Sequence, residues 1–224
     1  FHRLSGQRLL DELRLLFSER TPRQAVRRLA DLDLLRFLHP TLAWSTRLDR
    51  RLSDLEAALD WYRLSCLGRT INGWVVYAMA LAEVMPDEAV RDMLTRFPFT
   101  EAERTAITQA RFLTQPVCRV LTRRAPLRPS DTVATLAGLS DECLVFLLAK
   151  NTSGTAKRSL SQYLTMYRDV KPTLTGKALQ AYGLKPGPLY RTILERLTEA
   201  RLNGEVHSEA EEQALVKEFI ERRR

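Results

Sequence analysis

The sequence predicts an all-α fold, an elongated multi-helix assembly without a significant sheet. Three observations carry this. Capping residues recur ahead of apolar positions spaced three and four apart from one end of the chain to the other. The strongly apolar run 143–148 has no strand-like partner elsewhere, and a strand alone is not viable, so it reads as a buried helix. No repeat of fixed period emerges, which argues against a helical solenoid. With 224 residues, 45% of them hydrophobic, the chain has enough apolar material to bury a real core.

The elements follow in order. Ser5 caps a first helix whose Leu9, Leu13 and Leu16 share a face, with Arg8 one turn from Glu12. Thr21-Pro22 opens a second helix, lined by Ala25, Leu29 and Leu32, where the missing N–H of proline costs nothing. His39-Pro40 ends the apolar patch 34–38 and closes a helical neck over residues 1–40. Ser53 with Glu56 reads as a capping box, backed by Leu55, Leu59, Tyr62 and Cys66. Gly68 and Asn72-Gly73 mark a turn into a helix bearing Trp74, Tyr77, Leu81 and Met85, which Pro86 stops. Thr100 with Glu103 is another box, leading Ile107, Ala110 and Leu113 inward. Pro126-Leu127-Arg128-Pro129 is a break, with a helix from Ser130 or Asp131 after it, and Gly138-Leu139-Ser140 precedes the buried run. Short connections make 41–150 a helical body.

Residues 151–224 form a tail. A helix carries Leu160, Tyr163, Leu164 and Tyr167. A short helix with a glycine cap at Gly183 turns tightly into one bearing Leu189, Ile193, Leu197 and Ala200, which ends near Asn203-Gly204. Ser208 with Glu211 caps the last helix, faced by Leu215 and Phe219.

Composition narrows the chemistry. Cys66, Cys118 and Cys143 allow no complete pairing, so buried thiols in a reducing, cytoplasmic setting are expected. No apolar run reaches 18 residues and no signal-peptide layout opens the chain, so no membrane partner is expected. The missing initiator methionine points to a longer protein. Asp31 and Asp33 lack the glycine-rich strand-turn of a two-metal site and read as a solvated helix end; His2, His39 and His207 are too dispersed for a metal centre. No catalytic residue is assigned, and no cofactor or metal is expected within this chain.

The net charge of +8 comes from 35 basic residues, of which six are lysines, none before Lys150, and the remaining 29 arginines. Two tracts stand out. Residues 104–128 hold Arg104, Arg111, Arg119, Arg123, Arg124 and Arg128 with no acid between, read as one helix and its exit. Residues 171–204 hold six basic residues against Glu195 and Glu199. Each reads either as a phosphate-neutralising surface with salt-dependent binding or as a solvated face. In the second, glycines permit a tight turn at 183–190 and the following helix amides make an anion site, with Lys185, Tyr190 and Arg191 at its mouth.

At these residues a resemblance appears. Leu174-Thr-Gly-Lys-Ala-Leu179, Gly183-Leu-Lys-Pro-Gly-Pro-Leu189 and Ala200-Arg-Leu-Asn-Gly-Glu205 resemble the tail signature of bacterial class II tRNA nucleotidyltransferases and their poly(A) polymerase relatives. Arg3-Leu-Ser-Gly-Gln-Arg-Leu-Leu-Asp-Glu-Leu13 resembles the family's last motif, on a neck helix, and Leu34-Leu-Arg-Phe-Leu-His-Pro40 follows in the right order. The resemblance implies the neck, body and tail of an enzyme that adds CCA or adenosine to RNA 3′ ends with ATP or CTP and Mg2+. Its catalytic head would precede residue 1, and this chain alone would be inactive. It implies that Arg3, Arg8 and Glu12 brace the neck near the nucleotide pocket. Arg111, Arg119, Arg123, Arg124, Lys177, Lys185, Tyr190 and Arg191 would hold RNA, specifically a tRNA acceptor arm and elbow. Ala178 and Arg191 depart from the family's usual acidic and small residues. The alternatives are a stand-alone helical nucleic-acid-binding module and a protein-interaction scaffold.

Overall fold

The computed structural model describes residues 5–65, 68–123, 125–182 and 187–221, and helices account for all regular structure among them. None of these helices is long and apolar enough to cross a membrane. Two compact units emerge: Phe1–Arg123 with Gly138–Leu160, and Arg124–Ala137 with Ser161–Arg224. The expectations for His2, Arg3, Cys66, Arg124, Gly183 and Lys185 lie outside the described residues.

In the first unit, α1 (Gly6–Phe17) starts where the Ser5 hydroxyl accepts the Arg8 N–H at 3.3 Å. Leu10 and Phe17 are its buried residues, whereas Leu9, Leu13 and Leu16 are half-buried or face a groove. Helix α2 (Pro22–Asp31) ends in a left-handed turn at Asp33, φ 56°. That turn leaves Leu32 61% exposed instead of on the buried face.

Helix α3 (Thr46–Leu64) begins well before Ser53, because Ser45 accepts the Leu48 N–H at 3.1 Å and the apolar stripe already runs through Leu48 and Leu52. Ser53 therefore sits inside a helix, and Glu56 instead accepts the Arg23 N–H at 3.4 Å. Helix α4 (Gly73–Val84) is apolar nearly all round and buried throughout its length to Glu83, the pattern of a central core helix. It packs on α1, α3, α6 (Glu101–Phe112) and α9 (Asp141–Lys150).

Between α4 and α6 lies α5 (Asp87–Arg96), and α7 (Thr114–Leu121) follows α6 directly. The Thr100 and Glu103 capping box forms as expected, with both reciprocal bonds present. Leu113 is 46% exposed, not inward, because the chain leaves one helix and enters the next there. The run 143–148 is the buried helix expected, capped by Ser140, and α10 (Gly154–Gln162) follows.

One buried charge joins three of these helices. The Glu83 side chain, 6% exposed, takes Arg51 Nε at 2.6 Å and Lys150 Nζ at 3.2 Å, while Arg51 also donates to the Ala149 carbonyl at 3.0 Å. Burial pushes this carboxyl up, but the Arg51 hydrogen bond and the Arg51 and Lys150 charges outweigh it and hold Glu83 below its ordinary value.

The second unit contains α8 (Pro129–Leu136), a π-helical turn Tyr163–Tyr167, α11 (Gly176–Gln180), α12 (Pro188–Leu202) and α13 (Glu209–Glu221). Leu174, Leu179, Ile193, Leu197 and Val216 form its core. Helix α8 packs on α12 and the π-helical turn, and the Ser130 N–H donates to Asn203 at 3.2 Å. Buried Glu212 accepts the Thr173 and Leu174 N–H groups at 3.1 and 2.8 Å and also pairs with Arg201.

Candidate nucleic-acid interface

The first basic tract is divided by its partners. It spans α6, α7 and the start of α8 instead of one helix. Arg104 donates to the Leu94 carbonyl. Arg111, 22% exposed, pairs with Asp87 at 2.5 Å and donates to the Glu83 carbonyl at 3.2 Å. Arg128 pairs with Asp131 at 3.1 Å. The absence of acids between these arginines in sequence concealed acids brought in from elsewhere. Arg119 and Arg123 remain exposed, with no ion-pair partner among the described residues.

The second tract sorts the same way. Arg196 pairs with Glu205 at 2.5 Å and Arg201 with Glu212. Lys177 on α11 and Arg191 on α12 are exposed and have no ion-pair partner among the described residues. Tyr190 is half-buried beside the core, and a Cβ on Gly176 would lie 3.6 Å from its ring. Its ring therefore packs on the protein itself.

In the neck, Arg8 and Glu12 are both exposed and form no ion pair with each other. The i,i+4 contact of α1 is instead Gln7 donating to Asp11 at 2.9 Å. Arg8 and Glu12 edge a groove of about 460 Å³ lined by Leu9, Leu13, Leu16, Leu29 and Phe37. Arg14, which the sequence did not single out, bonds both oxygens of Glu103 at 3.1 Å and lies 5.0 Å over the Trp74 ring.

Sequence reasoning also missed a cleft of about 1350 Å³ where the end of α1, α2, α3 and the start of α4 meet. Arg20, Arg23, Arg27, Arg28 and Arg63 line it with five carboxylates. Arg23 grips Asp49 through two bonds of 2.7 and 2.9 Å, and this hydrogen bonding holds Asp49 below its ordinary value. Arg27 pairs with Asp31 at 3.1 Å and lies 5.1 Å over the Trp44 ring. Tyr77, stacked on Phe17 at 5.3 Å, belongs to the cleft lining; burial pushes its phenol up to about 12. The available signal was the crowding of arginines at positions 20, 23, 27 and 28.

Residues 2–45 match a family model described as the probable RNA- and SrmB-binding site of polymerase A. The fold is that of the Thermotoga maritima CCA-adding enzyme complexed with tRNA, with TM-score 0.77 and 20% identity over 97% of this chain and 52% of that one. A CCA-adding enzyme complexed with CTP gives 0.76 and 22% over 98% and 52%. The chain thus matches tRNA nucleotidyltransferases and CCA-adding enzymes over most of its length, in a form that is all-helical among its described residues.

A relative in sequence is an A-adding tRNA nucleotidyltransferase of Geobacter sulfurreducens, 37% identical over 94% of this chain. The chain spans 24% of that relative and about half of the solved structures' chains.

Proposed function

We propose that this chain is the RNA-binding and RNA-positioning region of a template-independent nucleotidyltransferase that adds CCA or adenosine to RNA 3′ ends. In this reading 1–40 is its neck, 41–150 its body and 151–224 its tail. The observation that carries it is the 37% identity to an A-adding tRNA nucleotidyltransferase over nearly the whole chain. The CCA-adding fold and the RNA-binding family model at 2–45 support the same reading.

Nucleotide transfer then belongs to a head domain of the whole protein, which would use ATP or CTP and Mg2+. Among the described residues no group of three His, Cys, Asp or Glu side chains could hold a metal ion. The unpaired Arg119 and Arg123, with Lys177 and Arg191, would hold the acceptor arm and elbow of tRNA by phosphate contacts. Arg3, Arg8 and Glu12 would support the neck beside the nucleotide pocket. The free thiols of Cys118 and Cys143 suit a cytoplasmic setting.

The test is binding of the chain to deacylated tRNA, an unstructured RNA of equal length and duplex DNA across a salt series. Selective, salt-sensitive tRNA binding is expected. Preference for duplex DNA would favour a DNA module, and absence of salt-sensitive binding would favour an interaction scaffold.

A further inference from the structure

We infer that the cleft among α1, α2, α3 and α4 takes an unpaired RNA segment and holds it by its bases more than by its phosphates. This rests on the RNA-binding reading above and extends it to a second site of different chemistry. The cleft's charge is the starting point. Five arginines face five carboxylates, so the lining is formally neutral, unlike a phosphate-binding groove. Three of the arginines are already committed, Arg23 to Asp49, Arg27 to Asp31 and Arg63 to Asp60. Two exposed arginines, Arg20 and Arg28, have no ion-pair partner among the described residues.

Neutrality with many fixed donors and acceptors suits a planar, uncharged group that presents hydrogen-bonding edges. Guanidinium and carboxylate groups are the side chains that pair with base edges, and aromatic rings are the surfaces on which unpaired bases stack. Trp44 supplies such a ring at the cleft, half-buried and held by Arg27 on one face. About 1350 Å³ exceeds the roughly 300–1,000 Å³ of sites for drug-sized ligands, which suits a segment of more than one nucleotide. A duplex is excluded because its bases are stacked and paired within it. The family model that matches 2–45 covers α1, α2 and Trp44 together.

The experiment uses the whole chain with a fluorescent, unstructured twelve-nucleotide RNA, an abasic oligomer of the same length, and tRNA trimmed of its unpaired 3′ end. The native chain should bind the RNA twelve-mer with quenching of tryptophan fluorescence and bind the abasic oligomer more weakly. Arg20→Ala with Arg28→Ala, both exposed and unpaired and so without a folding cost, should weaken twelve-mer binding about tenfold. Trp44→Leu should weaken it similarly and remove most of the quenching, and both variants should bind trimmed tRNA as the native chain does. Equal binding of the twelve-mer by native and variant chains, or equal binding of the abasic oligomer, would overturn the cleft assignment alone. A native chain that binds neither tRNA nor the twelve-mer would overturn the proposed function and this assignment together.

Discussion

At the scale of single residues, the same side-chain type serves two ends, and partners decide which. Glu83 is surrounded by Arg51 at 2.6 Å, Lys150 at 3.2 Å and Arg47 at 3.7 Å, with its own side chain 6% exposed. Truncating one member of a buried pair strands the others without compensation, a loss of about 3–5 kcal/mol. Glu83→Ala should therefore lower the unfolding free energy by that much, as measured by urea or thermal denaturation. An effect below about 1 kcal/mol would mean water reaches the cations. Because the folded carboxyl lies below its ordinary value of 4.5, its contribution is fully present above that pH and is lost as pH falls through the folded value. A pH series on the native chain and Glu83→Gln should thus converge only on the acid side. Lys177 and Arg191 are the opposite case, exposed and unpaired. Replacing both by alanine should leave helicity unchanged by circular dichroism and make the RNA-binding salt slope shallower by about 1–2, since each phosphate contact contributes about 0.7–0.9. An unaltered slope would remove them from the interface.

At the scale of elements, what is local in sequence was legible and what is brought together by folding was not. Ser5 and Thr100 cap their helices as the sequence indicates, because a cap depends on residues three apart. Ser53 failed on a competing local signal, Ser45, followed by a longer apolar stripe. The partners of the basic tracts were out of reach: Asp87 meets Arg111 across 24 positions, and Glu212 meets Arg201 from another helix. Helix α8 likewise lies within the 41–150 stretch read as the body yet packs in the second unit, a choice that no periodicity encodes. Helix α1 offers a sharper test. A Cβ at Gly6 would lie 2.6 Å from the Arg96 carbonyl oxygen, a backbone atom that cannot swing aside. Gly6→Ala, ordinarily favourable inside a helix, should here cost about 1–3 kcal/mol in thermal or chemical denaturation. A neutral or stabilising result would show that α1 shifts freely at its first turn.

At the scale of the whole molecule, a formal charge of +8 overstates what RNA would meet. Most of the arginines followed above are already neutralised by carboxylates of the same chain, and the tracts 104–128 and 171–204 retain only part of the charge their sequences display. The proposed phosphate contacts number about six: Arg119, Arg123, Lys177 and Arg191, with Arg124 and Lys185 from the same tracts. At about 0.7–0.9 counterions per contact, the plot of log affinity for tRNA against log salt should have a slope of about −4 to −5. Fluorescence anisotropy between about 50 and 300 mM salt measures it directly. A slope near −10 would require the paired arginines to leave their carboxylates on binding, so the internal ion pairs would be a reserve of charge rather than a scaffold. A slope near zero would leave affinity to bases and shape, and would move the centre of RNA recognition from the tail to the neck cleft.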